Sequence, residues 1–275
     1  MTSFQTKRCA FCNQPATMTR EHIWGEWIKA FVPPAANKHG YQRIAVPRPG
    51  ERVPEQPQIR AGNPVGATVP VVCTPCNSGW MSRLQERAKP YLIPLFDGQD
   101  VRLSADAQTA IAQWATMATM TAEYLGRDAR SVAVSPEDRA LLMAGTIPKG
   151  WRIWIGLLAR PGWRRQWQHA VLPILDAERL PENVTEDERR PNTQTTTFTV
   201  GRLLVTVISC PFPSITRGWD WRTAPRARGA LRQIWPIDQA PLGLSLQRLS
   251  HVGANMIADA FVRYSDRIAL EKGYR

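Results

Sequence analysis

The sequence predicts an α+β protein. A small zinc-bound N-terminal module over about residues 1–95 precedes a larger mixed α/β domain, with antiparallel strands and helices, over about 96–275. Three observations predict it. Four of the five cysteines form two C-x2-C pairs, Cys9/Cys12 and Cys73/Cys76, in the first third of the chain. Apolar residues at helical spacing are clearest over 104–126. Alternating and β-branched stretches then fill much of 151–209. Hydrophobic residues at 43% and charged residues at 21% are ordinary for a globular chain, which excludes wholesale disorder. A chain of 275 residues can bury a sizeable core.

The elements follow in order. Residues 1–32 carry the first cysteine pair and the Trp-rich segment EHIWGEWIKAF. Residues 33–70 contain prolines at 33, 34, 47, 49, 54, 57, 64 and 70 and read as a Pro-rich insertion loop, with room only for short strand pieces. After the second cysteine pair a helix is expected over about 78–88. It should end near Pro90, because the residue before a proline disfavours the α region. Over 104–126 Ser104 is a candidate cap, and Ala107, Ile111, Trp114, Ala118, Thr121 and Leu125 line one stripe up to Gly126. Ser135-Pro136-Glu137-Asp138 combines a cap, a first-turn proline and acids, and opens another helix. Trp151, Ile153, Ile155 and Leu157 alternate as in a strand, as do Trp167, His169 and Val171. Residues 194–209 read as one long strand, the acidic 176–192 stretch as a surface loop, and 226–235 and 251–270 as helices.

The cysteine pairs carry the strongest chemical signal. Each C-x2-C puts two sulfurs on one turn, and two such turns supply the four thiolates that tetrahedral Zn²⁺ prefers. The 60 residues between Cys12 and Cys73 can be looped out at small entropic cost, since closure grows only logarithmically with length. A thioredoxin-like redox pair is the competing reading, and it leaves one pair unexplained. Four thiolates close the coordination sphere, so such a zinc is structural and any chemistry lies elsewhere. Cys210 lies in a strand-like stretch and reads as a buried thiol.

The charge balance points to a polyanion. Lys and Arg number 35 against 23 acids, a net charge of +12, and 29 of the 35 are Arg, whose planar fork grips phosphate. Residues 1–90 carry +7 of that excess. Candidate nucleic-acid contacts are Arg8, Arg20, Lys29 and Arg83, with Arg43, Arg48, Arg52 and Arg60 in the Pro-rich segment. A second cluster, Arg217-Gly218-Trp219-Asp220-Trp221-Arg222, interleaves Trp with Arg as base-stacking surfaces do; core packing of the two Trp is the alternative. The chain has no apolar run of about 18 residues and no signal-peptide stretch, so no membrane association and a cytoplasmic location are expected.

Between the pairs stands Thr19-Arg20-Glu21-His22-Ile23-Trp24, and directly after the last paired cysteine stands Asn77. The order C-x2-C, acid-His-aliphatic, C-x2-C-Asn resembles the HNH endonucleases, and Cys76-Asn77-Ser78-Gly79-Trp80-Met81 resembles the C-N-x-G-W-M start of the final helix in their zinc-stapled branch. The likeness covers about residues 1–90. It implies a ββα-metal module in which Cys9, Cys12, Cys73 and Cys76 hold a structural zinc. It further implies that Glu21 and Asn77 hold a catalytic Mg²⁺ or Mn²⁺ while His22 is the general base. The sequence departs from the pattern in three places: Trp24 and Gly25 stand where a proline is usual after the His triplet, Thr68 stands at the middle Asn position, and the basic residue of the final helix is matched only loosely. Arg83 corresponds loosely to a basic residue of the final helix.

Residue chemistry agrees with that expectation. Phosphodiester hydrolysis needs a deprotonated water, and imidazole, with an ordinary pKa of about 6.5, suits the task. A hard cation prefers oxygen donors such as those of Glu21 and Asn77. The expected activity is a metal-dependent endonuclease acting on DNA, with RNA as a second possible substrate. The alternative is a catalytically silent zinc-stapled module that binds nucleic acid or another partner. The sequence leaves oligomeric state and the role of 96–275 open.

Overall fold

The computed structural model describes residues 7–32, 38–45, 58–61, 66–125, 132–163, 166–174, 190–212, 216, 229–244 and 247–271. It is a mixed α/β chain built on antiparallel sheets. Strand β1 (Met18–His22) pairs antiparallel with β4 (Thr68–Cys73) in a separate two-stranded sheet. A wide, π-type turn over Cys76–Met81 follows β4 and runs into helix α1 (Ser82–Phe96). Between β1 and β4 the chain forms a 3-10 turn (Glu26–Phe31) and strands β2 (Lys38–Ala45) and β3 (Gln58–Ala61).

Beyond α1 come the short β5 (Arg102–Leu103), α2 (Ala105–Ala122) with a 3-10 turn to Leu125, and α3 (Pro136–Met143). Then follow β6 (Trp151–Leu157), β7 (Trp167–Leu172), β8 (Thr193–Val200), β9 (Leu203–Ser209), β10 (Leu231–Trp235), β11 (Leu242–Gly243) and α4 (His251–Glu271). The main sheet has seven strands in the order β10-β6-β9-β8-β7-β2-β3. Its neighbours are antiparallel except β7 and β2, which run parallel. Small β5 and β11 pair separately.

Helices cover both faces of this sheet. Trp114 of α2 packs on Phe198 of β8, with ring centroids 5.8 Å apart. On the opposite face α4 carries Asn255, which accepts from Trp163 Nε1 at 2.7 Å, and Asp259, which accepts from Gln168 Nε2 at 3.2 Å. The α2-side cluster extends from Trp114 and Phe198 through Met81, Leu84, Ile23 and Trp24 to Cys9, Cys73 and Cys76. Residues before and after position 95 therefore share one apolar cluster.

Locally signalled elements sit where the sequence puts them. Ser104 Oγ accepts from Ala107 N and caps α2, and Ser135 Oγ accepts from Asp138 N and caps α3. Three expectations are corrected. The helix after the second cysteine pair does not stop at Pro90; α1 continues to Phe96 with Pro90 and Pro94 inside, because Leu84, Ala88, Leu92, Leu95 and Phe96 bury one face. Residues 194–209 are not one strand but a β8–β9 hairpin turning at Gly201-Arg202, where Gly201 has φ +56°. Residues 231–235 are strand β10, not helix, while 226–228 lie outside the described residues. Within 33–70 the proline-free windows 38–45 and 58–61 are the strand pieces for which the sequence leaves room, and both join the main sheet. Of the 176–192 stretch, 176–189 lie outside the described residues.

Candidate metal centre and acid–histidine site

The first cysteine pair sits on a tight turn before β1. Cys9 N donates to Gln14 O at 3.0 Å, and Asn13 N donates to Cys9 O at 3.0 Å. Asn13 takes φ +55°, a left-handed conformation that Asn tolerates better than most residues. Arg8 Nη1 donates to Asn13 O at 2.9 Å, so this arginine braces the turn. Ala10 N donates to Val71 O at 2.9 Å and ties the turn to β4. The second pair lies where β4 passes into the π-type turn, with Cys73 ending the strand and Cys76 opening the turn.

The fold thus brings together two cysteine pairs that are separated by 60 residues of chain. The ligand atoms of Cys9, Cys12, Cys73 and Cys76 all lie within 4.8 Å of one another. Cys12 Sγ and Cys73 Sγ are 3.7 Å apart. Zinc–sulfur bonds of about 2.3 Å at tetrahedral angles place sulfurs about 3.8 Å apart, so the donor set fits a tetrahedral Zn²⁺. Burial pushes the Cys9 thiol up, but amide donors from Cys12, Cys73 and Phe11 outweigh it and bring the thiol down to about 7. Burial raises Cys76 far above its usual range, and the Trp80 indole beside its sulfur works against that rise. Among the described residues, this is the one group of three or more His, Cys, Asp or Glu side chains close enough to share a metal ion.

The acid–histidine pair ends β1. Successive strand residues face opposite sides, so Thr19 and Glu21 share one face while Arg20 and His22 share the other. Glu21 is 4% exposed, and among the described residues no hydrogen bond or ion pair reaches its carboxylate. Burial alone raises it to about 7. His22 is half-buried and stands opposite Thr68 in the β1–β4 register. The ladder shifts register between Thr19 and Glu21, with an extra residue on β4 beside Pro70, which has no N–H to donate to a ladder.

Asn77 lies one residue beyond Cys76, half-buried on the π-type turn. Its Nδ2 donates to Thr19 Oγ1 at 3.0 Å, and Thr19 Oγ1 donates to Val72 O at 2.9 Å. Asn77 is therefore held against the same strand face that carries Glu21. After His22 the chain turns at Gly25, with φ +79°. A side chain there would run into Gln85 of α1, whose Oε1 accepts from Trp27 Nε1 at 3.0 Å. That glycine, in the segment where the resemblance expects a proline, lets the chain after β1 fold back onto the helix.

The basic candidates divide. Arg20 is exposed on the His22 face and Arg83 is exposed at the start of α1; neither is ion-paired among the described residues. Lys29 pairs with Glu26 at 2.7 Å, and this bond, with the charges of Lys29 and His22, holds Glu26 below the usual carboxylate range. Arg217 and Arg222, like Arg48 and Arg52, lie outside the described residues, and so do the side chains of Arg43 and Arg60. His169 is buried and its Nδ1 lies 2.7 Å from Thr196 Oγ1 in the main sheet; Cys210 is buried as a free thiol. Sequence reasoning missed Thr19. Its signal was the two-residue spacing to Glu21, which puts both on one strand face. Among the described residues no helix is long and apolar enough to cross a membrane. No family model, no curated protein and no solved structure matches this chain.

Proposed function

We propose that this chain is a metal-dependent endonuclease of the HNH type that hydrolyses phosphodiester bonds in DNA, with the four cysteines holding a structural zinc. One observation carries the reading: a buried carboxylate with no described partner, Glu21, directly precedes a half-buried histidine, His22, in a strand–strand–helix unit at which four cysteine sulfurs cluster. A carboxylate buried without a counter-charge is costly, and a cation is its natural complement.

In this reading each residue has one task. His22 takes the proton of the attacking water and stays open to solvent on its strand face. Glu21 and Asn77 Oδ1 would hold the divalent ion, and both offer the oxygen donors that Mg²⁺ and Mn²⁺ accept. When bound, that ion supplies Lewis-acid stabilisation of the phosphate and the leaving oxygen. Arg20, beside His22, and Arg83 offer exposed cations for the phosphate backbone. Zinc fixes the end of β4 to the turn before β1 and so sets the position of Asn77.

A second reading rests on Thr68. It faces His22 across the two strands, at the position where the resemblance calls for the Asn that orients the base. A threonine there favours a zinc-stapled module that binds nucleic acid without cutting it. Cleavage of supercoiled plasmid with Mg²⁺ or Mn²⁺ separates the two, with His22→Ala purified alongside and zinc measured in both. Nicking by the parent and a loss of at least about 100-fold in His22→Ala are expected. No cutting by the zinc-loaded parent, with DNA retained in a salt-sensitive way, would replace the endonuclease with the binding module.

A further inference from the structure

We propose that Thr19 is a positioning residue of this site: its hydroxyl sets the orientation of the Asn77 amide so that the carbonyl oxygen, and not the NH2 group, is presented to a divalent cation held with Glu21. The inference rests on the endonuclease reading for the existence of the cation site and adds a residue that neither the sequence pattern nor the resemblance assigns.

The argument is one of hydrogen-bond capacity. A threonine hydroxyl has one proton and two lone pairs. The Thr19 proton is committed to Val72 O at 2.9 Å, the residue opposite Thr19 in the β1–β4 register. Towards Asn77 the hydroxyl therefore has only lone pairs to offer. The amide must turn its Nδ2 to Thr19, as it does at 3.0 Å. The reversed amide would set Oδ1 against a lone pair. Oδ1 is consequently directed away from Thr19, and among the described residues no hydrogen bond reaches it. An amide oxygen binds a hard cation, whereas an amide NH2 repels it. Thr19 and Glu21 lie two residues apart on one face of β1, so the strand that carries the acid also aligns the amide.

The test uses the full-length zinc-loaded chain and Mn²⁺ alone as probe, with binding followed by electron paramagnetic resonance of the free ion. Thr19→Val keeps the shape and removes the hydroxyl, and is expected to weaken Mn²⁺ binding about tenfold. Thr19→Ser keeps the hydroxyl and is expected to bind within about threefold of the parent. The decisive arm is Asn77→Asp, whose carboxylate presents an oxygen in either orientation. In that background Thr19→Val is expected to change Mn²⁺ affinity by less than about threefold. Three results overturn the proposal: unimpaired binding by Thr19→Val, a Thr19→Ser variant as weak as Thr19→Val, or an equal loss in the Asn77→Asp background. The last would show a merely structural role. A parent that binds no Mn²⁺ overturns it too. Plasmid cleavage is scored separately: Mn²⁺ binding that follows the expected pattern without any cutting supports the role of Thr19 and overturns the endonuclease reading alone.

Discussion

Two buried glutamates in this chain have opposite surroundings. Glu123 is 1% exposed and Glu21 is 4% exposed, and burial raises both above the usual carboxylate range. Glu123, in the turn after α2, is closed on itself. It pairs with buried Arg139 of α3 and accepts from Ala133 N at 3.0 Å and Val134 N at 3.3 Å. Arg139 in turn donates to Met120 O at 2.7 Å and lies over the rings of Tyr124 and Phe11. Glu21, next to last in β1, has no such partner among the described residues. Identical residue type and similar burial therefore separate a finished ion pair, which holds architecture, from a carboxylate with coordination capacity left over.

The largest expected effect concerns the four clustered cysteines. The unmodified chain is expected to carry one zinc, and Cys76→Ser is expected to lose it. Phe11 and the cysteines share an apolar cluster with α2 and the main sheet, so the damage spreads. Structural zinc contributes several kcal/mol to folding, and the melting temperature should fall by about 10 °C or more. Metal analysis with thermal unfolding checks it. Full zinc content and an unchanged melting temperature in Cys76→Ser would mean that the four sulfurs do not clasp the unit.

The next test breaks the finished pair. Arg139→Met removes the guanidinium that Glu123 is paired with and should cost about 3–5 kcal/mol in urea unfolding. Combining it with Glu123→Gln should recover part of that loss, because the stranded carboxylate is gone. A cost under about 1 kcal/mol in the single variant would erase the contrast between the two acids.

How much of this was legible depended on how local each signal was. The cysteine spacing, the Ser104 cap and the Ser135-Pro136 helix start act within a few residues, and the sequence displays them directly. The β8–β9 hairpin was hidden because α2 and α4 cover both sheet faces; every residue from Thr193 to Val200 is buried and no alternation survives. Helix α1 outlasted its prolines because packing outweighed a local rule. Strands β2 and β3 join a sheet whose other members begin only at Trp151, far along the chain, and no short-range pattern announces that. At the site, the order of Glu21, His22 and Asn77 was visible. The Thr19–Asn77 bond spans 58 residues and could be seen only once β1 and the turn after β4 were side by side.

The smallest effect reads the open acid itself. Glu21 is raised from its ordinary 4.5 to about 7, so the folded chain holds this proton more tightly than the unfolded chain does. Below about pH 4.5 both states are protonated and Glu21 costs nothing. Between about 4.5 and 7 the unfolded chain releases the proton first, so folding stability falls as pH rises. Above about 7 the full penalty is in place, of the order of 3 kcal/mol at most. Glu21→Gln keeps the shape and never charges. Without divalent ions it is expected to match the parent at about pH 4 and to be the more stable protein at about pH 8, the opposite sign from Arg139→Met. Added Mn²⁺ should narrow or reverse that order at the higher pH, because a cation favours the carboxylate and gains less from the amide. Urea midpoints at the two pH values, with and without Mn²⁺ and with zinc kept bound, check both steps. A parent more stable than Glu21→Gln at the higher pH in the absence of Mn²⁺ would mean that Glu21 already has a counter-charge, and the two acids would then be alike.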